Sequence, residues 1–199
     1  MKKVWINRAK SFEEAQGFDN TYYSNLSSTE RVESVQILRE EYFKSHGLKF
    51  PKTEKDYEEF LELLNKHNVR YCVIGAFALA FHSRPRYTKD MDILVEPTID
   101  NAKRLLIALD EFGFGSLNLA VEDFSTQGNI IQLGYEPVRI DIISSIKGLE
   151  FADIWQSRVQ GPYGKQTVNF IDRQNLIRSK KLSNRPQDKA DLKLLLSEK

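Results

Sequence analysis

The stretch Gly75-Ala-Phe-Ala-Leu-Ala-Phe-His82-Ser-Arg84-Pro-Arg86-Tyr-Thr-Lys-Asp90-Met-Asp92-Ile-Leu-Val95 decides the fold, because its character changes twice. It follows Tyr71-Cys-Val-Ile, a short apolar run that ends at Gly75 and reads as a buried strand. Residues 76–82 are small and apolar, suited to a helix packed closely on a sheet. A basic loop with Arg84 and Arg86 leads into a second strand over 91–96. Alternate side chains of a strand share a face, so Asp90 and Asp92 project together, roughly 7 Å apart at their Cα atoms. Two carboxylates so placed repel unless a cation lies between them. Magnesium takes hard oxygen ligands and commonly combines one or two carboxylates with substrate phosphates. A third carboxylate, Asp141, lies mid-strand in Arg-Ile-Asp-Ile-Ile, where burial is costly without a metal or hydrogen bonds. If the 138–144 strand lies beside the 91–95 strand, the three aspartates converge. A plainer reading stands beside this one: Asp-x-Asp pairs arise by chance, Asp90 caps a turn, and Asp141 answers Arg139.

Outward from this stretch, helical and strand periods alternate. Tyr57, Phe60, Leu61 and Leu64 mark one face of a helix over 54–67, and Ala102, Leu105, Leu106, Leu109 and Phe112 mark another over 99–112. Strands are expected over 129–135 and 138–144, joined tightly at Glu136-Pro137. Tyr163-Gly164 reads as a hairpin tip before a strand over 167–171. From Arg173 the chain reads as basic and helical, interrupted near Pro186. The first fifty residues differ. Ser11 with Glu14 and Ser27 with Glu30 fit capping boxes, and Val32, Val35, Leu38 and Tyr42 recur at helical spacing. Gly47 and Pro51 mark a boundary. The expected organisation is an N-terminal helical arm over 1–50 and an α/β (α+β) domain over 51–199, a mixed sheet flanked by helices with a helical tail.

Composition narrows the function classes. A formal net charge of +1 supplies no global field toward nucleic acid or an anionic membrane, so any polyanion site is local. Cys72 is the only cysteine, which excludes an internal disulfide framework. No run approaches the length of a membrane span, and the first residues lack the apolar core of a signal peptide. A soluble, cytoplasmic protein is expected.

Val73-Ile-Gly75-Ala76, then Asp90-Met-Asp92-Ile and Ile140-Asp141-Ile142, resemble the DNA polymerase β-like nucleotidyltransferase superfamily: a hydrophobic-glycine turn, an Asp-x-Asp strand and a third aspartate on its own strand. The likeness is nearest to the small prokaryotic group that includes AbiEii toxin-like and minimal nucleotidyltransferases. Leu176-Ile-Arg-Ser-Lys180 and Arg185-Pro-Gln-Asp188-Lys-Ala-Asp191-Leu192 resemble that group's helical end. The resemblance implies the nucleotidyltransferase fold and in-line attack of an acceptor hydroxyl on the α-phosphorus of a nucleoside triphosphate. It implies Asp90, Asp92 and Asp141 as catalytic and metal-binding residues for two magnesium ions, with manganese as a substitute, and Asp141 serving the acceptor hydroxyl. It implies triphosphate contacts from Gly75, Ala76 and Lys180, and Arg86, standing just before the aspartates, is expected to join them as a forked donor. The family usually has Gly or Ser where Ala76 stands, so no hydroxyl reaches the phosphates there. Implied acceptors are an RNA or tRNA end, a protein hydroxyl or a small molecule.

Other residues carry weaker signals. Arg84 and Arg86 read equally as phosphate donors and as solvated surface, and Arg185 with Asp188 reads as a structural pair between the tail helices. His82 reads as packed or capping before it reads as a base-stacking group, and His46 and His67 suit helix ends. Trp5, Tyr22, Tyr23, Tyr42 and Phe43 make the arm adhesive, for docking onto its own domain or for a homodimer or small protein partner. The basic tail cluster of Arg173, Arg178, Lys180, Lys181, Arg185 and Lys189 suits a short RNA end or a solvated face. Two further readings stay open. One is a catalytically weak nucleotide-binding or toxin–antitoxin-type regulatory module on the same fold. The other is an Asp-x-Asp glycosyltransferase, for which 199 residues are few.

Overall fold

The computed structural model describes residues 21–47, 54–134, 139–183 and 185–197. The capping box at Ser11, Trp5, Pro51 and the Glu136-Pro137 connection lie outside them. Six strands form one mixed sheet: β1 Tyr71–Val73, β2 Asp90–Val95, β3 Ile130–Leu133, β4 Arg139–Ile143, β5 Val159–Tyr163 and β6 Gln166–Phe170, in the order β3-β4-β2-β1-β6-β5. β2 runs parallel to β4 and antiparallel to β1, and β1 runs parallel to β6. The edge pairs β3/β4 and β5/β6 are antiparallel. The mixed α/β expectation is borne out.

The helices are α1 Ser28–Ser45, α2 Glu54–Lys66, α3 Gly75–His82, α4 Ile99–Leu109, α5 Val121–Ser125, α6 Phe151–Ser157, α7 Arg173–Ser183 and α8 Pro186–Ser197. α2 forms where the apolar spacing predicts it, and Tyr57, Phe60, Leu61 and Leu64 are all buried. Burying such a side chain contributes about 1.5–3 kcal/mol, so these four positions anchor the helix. α4 begins at Thr98, whose hydroxyl accepts from Asn101 N. Asn101 is buried, and its amide joins Arg70 N, Arg70 O and Glu96 O, closing the ends of β1 and β2 onto α4. Regular helix stops at Leu109, three residues short of the expected Phe112, and unwinds through a π turn in which Gly113 takes φ +104°. Phe112 still packs on Phe60, with ring centroids 5.1 Å apart.

The arm helix α1 opens with the expected capping box: Glu30 N donates to Ser27 Oγ at 3.2 Å and Ser27 N to Glu30 Oε2 at 2.8 Å. It lies on α3. Val32 and Val35 enter the same core as the sheet, Arg31 donates to the carbonyls of Ala80 and Phe81, and Tyr42 stacks on Tyr87 at 4.2 Å. The arm thus docks onto its own chain over residues 21–47. One position departs from the expected face: Arg39, rather than Leu38, is fully buried there. Among the described residues no helix is long and apolar enough to cross a membrane.

Candidate active site

β2 and β4 pair in parallel register, with Asp90 opposite Arg139 and Asp92 opposite Asp141. Registered positions on neighbouring strands put their side chains on one face, and the strands lie about 4.8 Å apart. Met91 and Ile93 of β2 and Ile140 and Ile142 of β4 fall in the buried core, so apolar packing holds the register that groups the carboxylates. A one-residue slip would send the aspartates into that core. The chain folds this way because its apolar residues alternate with its acidic ones.

Gly75 stands against Asp92. It takes φ +62°, a left-handed conformation that glycine adopts freely. A Cβ there would overlap Asp92 Oδ2 and lie 2.7 Å from Asp92 Cγ. Gly75 opens α3, with Ala76 buried behind it. The glycine is therefore required twice, by backbone conformation and by the carboxylate beside it.

The three aspartates differ in their surroundings. Arg139 donates from Nη2 to Asp90 Oδ2 at 2.6 Å, from Nε to Asp141 Oδ1 at 2.7 Å and from Nη2 to Asp141 Oδ2 at 3.0 Å. Thr88 Oγ1 donates to Asp90 Oδ1 at 2.7 Å, and Gln132 Nε2 donates to Asp141 Oδ2 at 3.0 Å. All four carboxylate oxygens of Asp90 and Asp141 thus accept hydrogen bonds. Asp92 lies outside this network. Burial, and then the carboxylates of Asp90 and Asp141, push its carboxyl up to about 6, with Lys180 and Arg185 opposing.

The donor set, three carboxylates from two strands, has the oxygen chemistry that a hard divalent cation takes. Its disposition in this conformation does not enclose one. Among the described residues no three His, Cys, Asp or Glu side chains are arranged to hold a metal, and the guanidinium of Arg139 bridges two of the three carboxylates instead. The plainer sequence reading, in which Asp141 answers Arg139, describes a real contact.

These side chains line a cleft of about 600 Å³ that also takes in Gly75, Arg86, Lys180 and Arg185. Arg86 and Lys180, both expected at the triphosphate, border it but already hold carboxylates. Arg86 forks onto Asp191 at 2.8 and 3.1 Å. Lys180, buried, reaches Asp188 at 2.6 Å and Asp191 at 2.8 Å. Buried charges persist only when paired, and this group ties α7 and α8 to the loop before β2. The expected Arg185–Asp188 pair exists at 2.6 Å but joins residues three apart. Lys180 links the two tail helices, joined in this by Ser183 on Asp188 and by Arg173 on the Leu195 carbonyl.

Several contributors escaped the sequence reading. Tyr57 donates from its hydroxyl to the carbonyl of Arg139 at 3.1 Å, and the buried Arg39 lies over the Tyr57 ring at 4.9 Å with Nη2 3.4 Å from that hydroxyl. A chain of contacts so runs from the arm to the backbone beside Asp141. A cation on an otherwise apolar helix face was the available signal for Arg39. Gln132 and Thr88 carried none, since their roles follow from register. Two other expectations resolve plainly. His82 bonds the carbonyl of Ile171 at 2.6 Å, the packed role, and Arg84 sits over the ring of Tyr23 at 5.5 Å.

No protein-family model matches the sequence, and no curated protein matches it either. Solved structures do resemble it in three dimensions. One from Thermotoga maritima, described provisionally as a nucleotidyltransferase, superposes with a TM-score of 0.50 at 14% identity over 77% of this chain and 99% of that one. ANT(2″)-Ia in complex with adenylyl-2″-tobramycin gives 0.47 at 13% identity over 74% and 89%. The lincosamide antibiotic adenylyltransferase LnuA, with lincomycin bound, gives 0.44 at 15% identity over 74% and 98%. Identities this low speak to architecture alone. On the likeness to the Thermotoga structure, the chain has the nucleotidyltransferase fold.

Proposed function

We propose that this protein transfers a nucleoside monophosphate from a nucleoside triphosphate to a hydroxyl acceptor, using magnesium held by Asp90, Asp92 and Asp141. The observation that carries the reading is the register of Asp92 on Asp141, with Asp90 one pleat away and Gly75 against Asp92, at a cleft large enough for a triphosphate. A bound divalent cation would polarise the phosphoryl oxygens and lower the barrier to hydroxyl attack.

The remaining work belongs to the chain. The backbone amides at the start of α3, after Gly75, suit the β and γ phosphates, because a helix N-terminus favours anions. The acceptor oxygen bonds to the α-phosphorus as the bond to the bridging oxygen breaks. Pyrophosphate leaves with that electron pair, and the acceptor's proton passes to Asp141. Positioning and charge neutralisation supply most of the rate enhancement.

The tail favours a compact acceptor over an RNA end. Of the six-residue basic cluster, Arg173 donates to Leu195 O, Arg178 to Asn175, Lys180 is buried, and Arg185 holds Asp188, while Lys181 and Lys189 are exposed. With four of its six cations engaged within the fold, the cluster offers only a short counterion track for phosphodiester backbone.

A second reading draws on Arg139. With every oxygen of Asp90 and Asp141 engaged, and with Ala76 at the turn, the chain suits a regulatory nucleotide-binding module with little turnover. Incubation of the full chain with each α-labelled triphosphate, magnesium, and either lysate protein or a panel of small hydroxyl compounds separates the two. Magnesium-dependent labelling of an acceptor supports transfer. Nucleotide binding without labelled product supports the regulatory module.

A further inference from the structure

We infer that Arg139 is a resident counter-cation, competing with the divalent metal for Asp90 and Asp141 and exchanging onto substrate phosphate when metal and triphosphate enter together. This rests on the proposed function and adds a regulatory layer to the same site.

Arg139 pairs with Asp90 across the β4/β2 seam and stands one pleat from Asp141 on its own strand, so a single planar fork spans both carboxylates. Its contacts, at 2.6 and 2.7 Å, have the length of charge-assisted bonds. Metal ligation draws on the same oxygens. Magnesium approaches carboxylate oxygen to about 2.0–2.1 Å, and a guanidinium still seated on them would face a second cation at close range. The two states are therefore exclusive at Asp90 Oδ2 and at Asp141.

The backbone of Arg139 is pinned while its side chain has an exit. Tyr57 holds its carbonyl at 3.1 Å, whereas the side chain is 23% exposed and lines the cleft. Displaced from the carboxylates, the fork remains beside the space a triphosphate would fill, and guanidinium matches phosphate as well as it matches carboxylate. Asp92, outside the fork, offers the first foothold for an incoming ion. Loading by metal alone is thereby disfavoured, and loading by metal with nucleotide is favoured.

The test is direct binding of Mn²⁺ to the full chain without nucleotide, followed by the loss of the free-ion electron paramagnetic resonance signal. It compares the parent with Arg139→Gln, Arg139→Lys and Asp92→Asn, each checked for cooperative thermal unfolding. Removing charge-assisted competition of this kind tightens binding about tenfold or more in Arg139→Gln. Arg139→Lys, which keeps the charge and loses the fork, falls between Arg139→Gln and the parent and serves if Arg139→Gln does not fold. Adding a non-hydrolysable triphosphate tightens Mn²⁺ binding in the parent more than in either Arg139 variant. Parent binding that depends on Asp92, with no tightening in either variant, overturns this inference and leaves the proposed function standing. Absence of Mn²⁺ binding from the parent and both Arg139 variants overturns both.

Discussion

Gly75 and Asp92 leave no room between them: a Cβ at position 75 would overlap the Asp92 carboxylate, and the φ of +62° is one that alanine tolerates poorly. The turn that opens α3 and the second aspartate of β2 are thus one structural unit. Gly75→Ala should cost about 1–3 kcal/mol from backbone conformation alone. It should also push Asp92 away from Asp141 and abolish nucleotide transfer. Denaturant unfolding measures the first effect and the transfer assay the second. Parent-like values in both would show that the contact is inconsequential.

Lys180 is the keystone of the tail. Replacing it with methionine leaves Asp188 and Asp191, both buried, without their shared cation. Breaking one side of such a pair costs about 3–5 kcal/mol. The expected result for Lys180→Met is a large fall in unfolding free energy. A folded variant of parental stability that had lost only triphosphate affinity would assign Lys180 to the substrate instead.

Acid stability should carry the signature of Asp188. Although burial opposes it, hydrogen bonds from Lys180, Ser183 and Arg185 hold its carboxyl down to about 2, against an ordinary value of 3.8. The folded state therefore binds this proton less readily than the unfolded chain does. The stabilisation is complete above pH 4 and is lost as the pH falls toward 2, an effect of about 2 kcal/mol. Unfolding free energies measured from pH 5 down to pH 2 should slope more steeply for the parent than for Asp188→Asn, and parallel slopes would remove Asp188 from the account.

Arg39 and Tyr57 should prove energetically coupled. Arg39 lies buried against the Tyr57 ring, and the Tyr57 hydroxyl touches the carbonyl of Arg139. A double-mutant cycle with Arg39→Met and Tyr57→Phe should give an interaction energy of about 0.5–3 kcal/mol. Strict additivity would show that the arm helix merely rests on the sheet.

Much of this architecture was legible beforehand. Long amphipathic segments such as α2 announced themselves through period, and the acidic positions of β2 and β4 stood out because an aspartate is anomalous among Ile, Val and Leu. Short elements did not. α5 and α6 span too few residues to display a period, and β5 contains Gly161-Pro162, a pair that argues against a strand unless it lies on a sheet edge, as it does here. Within the site, the shared sheet face of the three aspartates was foreseeable from alternation once β4 was set beside β2. The fork of Arg139 over two of them was not, because it depends on register and rotamer together. Leu38 masks Arg39 in the sequence because hydrophobic periodicity assigns a buried position to leucine by default, while a buried guanidinium is specified only by its tertiary partners.

The proposed chemistry depends on three carboxylates of one sheet face acting together on a nucleotide. Its most direct test is magnesium-dependent transfer of an α-labelled triphosphate by the parent and by Asp92→Asn, with circular dichroism confirming that both are folded. Labelled product is expected from the parent and a loss of at least about a hundredfold in the variant, the scale seen when one essential electrostatic group is removed from an active site. Undiminished transfer by folded Asp92→Asn would contradict it.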